Sequence, residues 1–320
     1  YFFILLLLME LTLNKAFIFP GQGSQSVGMQ SNLADNFSLI EETYKEASDI
    51  LGYDLWSLVQ TGPVDKISET VVTQPLMLTA GIAAYRLWLD AGGEKPAYLA
   101  GHSLGEYSAL VAAESFTFSD ALNVVIKRSQ FMQDAVPVGV GAMAAILGLN
   151  DETLIEICKQ ASVENIVEPV NFNSPLQVVI AGHKNAVKDA INLCQKAGAK
   201  RCILLPVSVP SHSSLMTDAG KKLSDVLKSV NIKNPIIKVI ASSDGCPYVG
   251  ADDIRLKLSR QVHTPVQWVA TIKYIIELGA SNIIECGPGK VLSGLCRRID
   301  KSIGATYIDS FDSLQKSLLS

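Results

Sequence analysis

Histidine is scarce in this chain, and its cysteines are unpaired. Only four histidines occur, His102, His183, His212 and His263. They lie far apart with no helical His pair, so no metal site is expected. The six cysteines, Cys158, Cys194, Cys202, Cys246, Cys286 and Cys296, include no C-x-x-C pair. They read as isolated thiols and not as a disulfide framework or zinc site. No Lys/Arg-rich block stands out and the net charge is −4, so the electrostatic footprint of a nucleic-acid binder is missing. Mild acidity fits a cytoplasmic enzyme. No apolar run approaches the roughly 20 residues that cross a bilayer, and no membrane association is expected. The unbroken apolar stretch from Tyr1 to Met9 is too short to span, and it lacks the basic n-region and small-residue cleavage site of a signal peptide. Residues 1–9 read as an apolar N-terminal extension, with Met9 a candidate start; a truncated signal or anchor is the alternative.

What is present is ample apolar material. The 320 residues are 48% hydrophobic, which suits one large domain or one plus an insert. Ala16–Phe19 reads as a first strand, broken by Pro20-Gly21. Helical patterns follow through Ile40–Leu51 and Leu76–Leu89. Ala97–Ala100 reads as a short buried strand. A helix rich in small residues comes next, then one over about Asp120–Ala135, with Ser119 as N-cap. After Pro137 the pattern changes. Met143–Gly148, Val167–Val170, Gln177–Ala181 and Cys202–Leu205 read as strands, and Asp151–Ala161 and Asn185–Lys196 as helices. That order is βαββαβ, the split arrangement of ferredoxin-like modules. The chain therefore divides into a main α/β domain over 10–136 and 208–320 and an inserted subdomain over 137–207. In the resumed main domain Ile236–Ala241 and Asn282–Glu285 read as strands and Trp268–Leu278 as a helix.

The strongest chemical signal is Gly101-His102-Ser103-Leu104-Gly105. It matches G-x-S-x-G between a strand and a helix, the context in which a sharp turn lifts a serine hydroxyl to an exposed apex. The Leu104 amide, at the helix start, points to where negative charge develops. The bland alternative is a glycine turn with a capping serine. A nucleophilic serine needs a base. His102 is adjacent and leaves the elbow in another direction. His212 sits in a loop stiffened by Pro206 and Pro210, as a catalytic base should. His183 suits a capping or surface role, and His263 has no special context. On its helix Arg128 shares an apolar stripe with Ala121, Val125 and Met132. A buried arginine is costly without an anion. It is therefore a structural salt bridge, a snorkelling side chain, or a bidentate clamp for a substrate carboxylate. The Gly21-Gln22-Gly23 loop lets backbone approach a ligand closely. It lacks the third glycine of a dinucleotide fingerprint and the Walker lysine, so nucleotide binding is not expected there.

Several motifs occur in order: Phe19-Pro20-Gly21-Gln22-Gly23-Ser24-Gln25, Thr73-Gln74-Pro75, Gly101-His102-Ser103-Leu104-Gly105-Glu106-Tyr107, Arg128 with Phe131-Met132, Asn171-Phe172-Asn173-Ser174-Pro175, Val209-Pro210-Ser211-His212, Pro265-Val266-Gln267-Trp268 and Gly287-Pro288-Gly289. From about residue 14 to near the C-terminus the chain resembles the malonyl-CoA:acyl carrier protein transacylase family of type II fatty acid synthesis. More distantly it is similar to polyketide and animal-type acyltransferase domains. The resemblance implies a hydrolase-like α/β core with a ferredoxin-like insert, and transfer of malonyl from malonyl-CoA to the phosphopantetheine thiol of acyl carrier protein through a malonyl-serine. It implies Ser103 as nucleophile, His212 as base and acid, Gln22 and Leu104 amides as oxyanion hole, Arg128 on the malonyl carboxylate, and the Gln267 carbonyl orienting His212. His102 and Asn171 are further substrate-binding candidates. No metal or redox cofactor is implied, and a monomer is expected. The departures are residues 1–9 and Ser213 after the histidine. A serine esterase or thioesterase shares G-x-S-x-G but offers no reason for Arg128. A non-enzymatic carrier-binding module remains the third reading.

Overall fold

A run of four residues with no exposed face, Ala16–Phe19, can only be a strand covered on both sides. In the computed structural model, which describes residues 14–207 and 209–320, it lies in β1, Asn14–Phe19. The apolar segment 1–9 lies outside the described residues. β1 is the middle of a five-stranded sheet in which every pairing is parallel. Its neighbours are β2 (Tyr98–Gly101) and β8 (Ala280–Cys286), with β7 (Lys238–Ile240) and β9 (Gly304–Ile308) at the edges. Alternation splits β1 between two cores. Phe17 and Phe19 enter one with Leu76, Tyr107 and Val125. Ala16 and Ile18 enter the other with Trp268, Ile272 and Leu295. β1 and β2 end side by side, Phe19 opposite Gly101. Both following loops therefore open at the carboxyl edge, where open parallel sheets place their sites.

Helix Thr70–Asp90 begins six residues before the expected Leu76 and carries Pro75 inside it. Proline in a helix costs about 3 kcal/mol. Here 17 buried residues on all faces of the helix outweigh that. The next long helix is Phe118–Asp134, capped by Thr117 and not by the expected Ser119. The Thr117 hydroxyl accepts from the Asp120 amide at 3.0 Å, the N-cap-to-N3 spacing that Ser119 cannot supply.

A second, antiparallel sheet follows. It is ordered β4-β5-β3-β6, from Gly141–Leu147 (β3), Val167–Ser174 (β4), Gln177–His183 (β5) and Arg201–Leu204 (β6). Helices Asp151–Ala161 and Lys184–Lys196 cover one face. β4 runs four residues past the expected Val170. Pro169 is tolerated because β4 is an edge strand and the register shifts there. The other face carries Met143, Val170, Val179 and Ala181 against Leu205 and Val207. β4 is tied to the main body where the Phe172 amide donates to the Val266 carbonyl and the Val266 amide to that of Val170. No helix among the described residues is long and apolar enough to cross a membrane.

Candidate active site

Ser103 stands between β2 and helix Gly105–Ala112 with φ 53°, a left-handed conformation that L-residues rarely adopt without a functional reason. The turn holds because its neighbours are glycines. A Cβ on Gly105 would lie 2.0 Å from the Phe19 carbonyl oxygen, and one on Gly21 would lie 2.6 Å from that of His102. Gly105→Ala must therefore push the elbow off β1. It is expected to cost at least ~3 kcal/mol, read as a lowered urea midpoint. An unchanged midpoint would show that the elbow has slack.

His212 is 3% exposed and also left-handed, at φ 67°. Its main-chain amide is pinned to the Val262 carbonyl. Nε2 lies 2.7 Å from Ser103 Oγ. On the far side, Nδ1 meets the carbonyl oxygens of Gln261 at 2.8 Å and Thr264 at 3.2 Å. Two acceptors there fix the proton on Nδ1 and leave the Nε2 lone pair toward the serine. Burial, followed by the nearby Arg128 charge, pushes the His212 pKa down to about 3, so the ring is neutral.

The orienting carbonyl is not that of Gln267, as the sequence had suggested. The Gln267 carbonyl accepts from the Thr271 amide and hydroxyl in the first turn of helix Trp268–Glu277. Being committed to its own helix, it has nothing to offer the imidazole. Gln261 is the last residue of helix Ala251–Gln261, where carbonyls have no intrahelical partner. Neither His183 nor His263 enters the site. His183 Nδ1 accepts from the Ile166 amide, and His263 packs against Gly220.

Arg128 is 1% exposed. One terminal nitrogen donates to Gln74 Oε1 at 2.5 Å; the other reaches Gln261 Oε1 at 3.0 Å and Ser103 Oγ at 3.2 Å. Its Nε has no partner, and the guanidinium carbon lies 5.6 Å from the Tyr107 ring centroid. None of the ion pairs among the described residues includes Arg128. The salt-bridge and snorkelling readings both fail, leaving a buried cation held by neutral acceptors. Burial draws its pKa downward.

These groups line one cavity of about 180 Å³, together with Gln22, His102, Leu104 and Asn171. Among the described residues neither the Gln22 nor the Leu104 amide donates within the protein. His102 turns away from the serine; its Nε2 lies 2.8 Å from Asn173 Oδ1 and its ring meets Trp268 edge-on. The Asn171 Oδ1 is buried without a partner. A larger groove of about 610 Å³ beside Lys45, Asp49 and Trp56 is open to solvent and contains none of the expected residues. Sequence reasoning missed Gln261, which no local signal marks. It also gave no role to Gln74 and Glu106, although both stood inside quoted motifs.

A serine on a strained strand-to-helix turn with a neutral histidine on its hydroxyl, and Gln22 and Leu104 lining the same cavity, is an arrangement suited to nucleophilic acyl chemistry on an α/β sheet. The chain belongs to the acyl transferase domain family, whose model matches residues 16–299. It is 48% identical over 303 residues to the malonyl CoA-acyl carrier protein transacylase of Escherichia coli K12, covering 95% of this chain and 98% of that one. The solved acyl carrier protein S-malonyltransferase of Vibrio cholerae superposes with a TM-score of 0.92 at 47% identity, covering 95% and 99% of the two chains. A malonyl-transacylase solved in complex with its type II PKS acyl-carrier protein gives 0.94 at 47% identity, covering 96% and 99%.

Proposed function

We propose that this protein transfers malonyl from malonyl-CoA to the phosphopantetheine thiol of acyl carrier protein, through an ester on Ser103. The observation that carries this reading is Arg128. A guanidinium fully buried, unneutralised and 3.2 Å from the serine hydroxyl calls for an acyl group that brings its own carboxylate. An acetyl group would leave that charge unpaired and should transfer poorly. His212 takes the Ser103 proton as Oγ attacks the thioester carbonyl. The Gln22 and Leu104 amides face the resulting oxyanion; losing one such donor typically costs about 3–4 kcal/mol. Coenzyme A leaves as its thiol, protonated by His212. The carrier thiol then attacks the ester by the reverse sequence, and Ser103 regains its proton. Asn171, with its orphaned acceptor, and His102, at the cavity wall, are the residues assigned to the acyl or pantetheine portion. Every group in this route comes from the chain or the two substrates, so no cofactor enters it.

The same reading carries a monomer working in the cytoplasm, to be checked by light scattering and by fractionation. It also takes residues 10–136 and 208–320 as a hydrolase-like core and 137–207 as a ferredoxin-like insert. The strand order β6-β3-β5-β4 of the antiparallel sheet supports the second part, since a βαββαβ chain folded in that order is the split βαβ arrangement.

The test is to mix the protein with malonyl-CoA alone. A burst of free coenzyme A and a malonyl mass gain on the peptide containing Ser103 are expected. Because His212 stays neutral down to about pH 3, the burst rate should be level from about pH 5 to 7, with no acid limb near the ordinary histidine value of about 6.5. Failure to trap the ester would end the covalent route. Steady hydrolysis of simple esters without carrier protein would favour the esterase reading instead.

A further inference from the structure

The residue after the elbow's second glycine is a buried acid. Glu106 is 1% exposed, and four donors converge on it. Ser242 gives its hydroxyl at 2.6 Å and its amide at 3.3 Å, Tyr248 gives its hydroxyl, and Gln261 gives Nε2 at 2.5 Å. A group that receives four hydrogens and donates none is a carboxylate. Burial draws its pKa up, while the bonds from Ser242, Tyr248 and Gln261 oppose the shift.

Gln261 is the joint between this acid and the reacting groups. One hydrogen of its Nε2 goes to Glu106 and the other to the Ser103 carbonyl at 2.9 Å. That leaves Oε1 to accept from Arg128 at 3.0 Å. A flipped amide would set its oxygen against two acceptors and its NH2 against the guanidinium. The arrangement therefore has one satisfied orientation, which Glu106 enforces together with the Ser103 carbonyl and Arg128.

We infer that Glu106 is a positioning residue for substrate selection: it locks the Gln261 side-chain amide so that a neutral acceptor, and not a donor, supports Arg128 beside Ser103. With Gln74 on the other nitrogen, the guanidinium is then oriented by two amide oxygens and neutralised by neither. Its charge stays available for an incoming carboxylate, and its buried Nε has no partner in the protein. A glutamate in direct contact with Arg128 would quench the clamp. A carboxylate one residue removed, acting through an amide, orients it without quenching it.

This inference rests on the malonyl-clamp reading of Arg128, so Arg128→Ala is measured alongside. The readout is the ratio of kcat/KM for malonyl-CoA over acetyl-CoA. Glu106→Met removes the acceptor at similar volume and is expected to lower the ratio at least tenfold, chiefly by raising KM for malonyl-CoA. Glu106→Gln keeps one acceptor oxygen for Gln261 and is expected to recover most of the ratio. A purely structural role would slow both substrates in parallel and leave the ratio alone, which would overturn the inference. An equal loss in Glu106→Gln would overturn the amide-orientation account. Should Glu106→Met fail to fold, Gln261→Met must lower the ratio by the same factor; a retained ratio there also overturns it. If Arg128→Ala itself keeps the ratio, the clamp reading fails; if Arg128→Ala loses it and the Glu106 variants do not, only the present inference fails.

Discussion

Arg128→Ala is expected to lower kcat/KM for malonyl-CoA by about 2–4 kcal/mol, roughly 30- to 1,000-fold, because it removes one partner of a desolvated charge pair. Acetyl-CoA has no carboxylate to lose, so its transfer should fall far less and the selectivity should collapse. Thermal stability reports a separate balance. Arg128 is fully buried and held by Gln74, Gln261 and Ser103, with the buried Glu106 within reach of its charge, so Arg128→Ala removes one desolvation cost and leaves another. Unchanged or raised thermal stability together with lost malonyl selectivity would mark the site as one where function is held at the expense of stability. Arg128→Lys is expected to recover only part of the activity, since a point charge cannot form the two-pronged contact. Survival of malonyl selectivity in Arg128→Ala would remove the central support for the proposed substrate.

How much of this site the sequence discloses depends on whether a role belongs to a side chain or to the backbone. The serine elbow is legible because close packing against β1 admits only glycine at 105, where a Cβ would strike the Phe19 carbonyl. Arg128 is legible because its place on an apolar helical stripe is hard to reconcile with an ordinary surface arginine. The partner of His212 is not legible. It is a main-chain carbonyl, which every residue possesses, and it can turn to the imidazole because helix Ala251–Gln261 stops there, leaving it only a long bond of 3.3 Å from the Thr264 amide. Gln267 looked suitable from its motif, yet its carbonyl opens the next helix and is occupied. Glu106 was hidden for a different reason. An acid in the first turn of a helix is ordinarily a solvated complement to the dipole, and only the fold brings Ser242 and Tyr248 to it from more than a hundred residues away. In the fold itself, apolar runs and βαββαβ order gave the two sheets. The extra turns of helix Thr70–Asp90 depended on burial around Pro75 that no local pattern records.

Loss of His212 should be the other large effect. His212→Ala is expected to slow Ser103 acylation by about 10²–10⁴-fold, the usual contribution of a positioned general base. Ser103→Ala leaves no group to acylate, and the double variant should be no worse than that single one, since the two act as one unit. Among the described residues no acid bonds to His212: two carbonyls hold the Nδ1 proton. That suffices for the tautomer, and it avoids burying another anion within reach of Arg128. When the ring takes up the serine proton, the carboxyl-terminal end of helix Ala251–Gln261, ending on the Gln261 carbonyl, lies against the new positive charge. Arg128 opposes that step, being the second cause of the depressed His212 pKa after burial. A malonyl carboxylate on Arg128 would lift this opposition, so the right substrate itself strengthens the base. The sign can be measured. In Arg128→Ala the His212 pKa should rise from about 3, and the acid limb of acylation should move to higher pH than in the parent. An acid limb that stays in place, or moves down, would show that the clamp and the base are uncoupled.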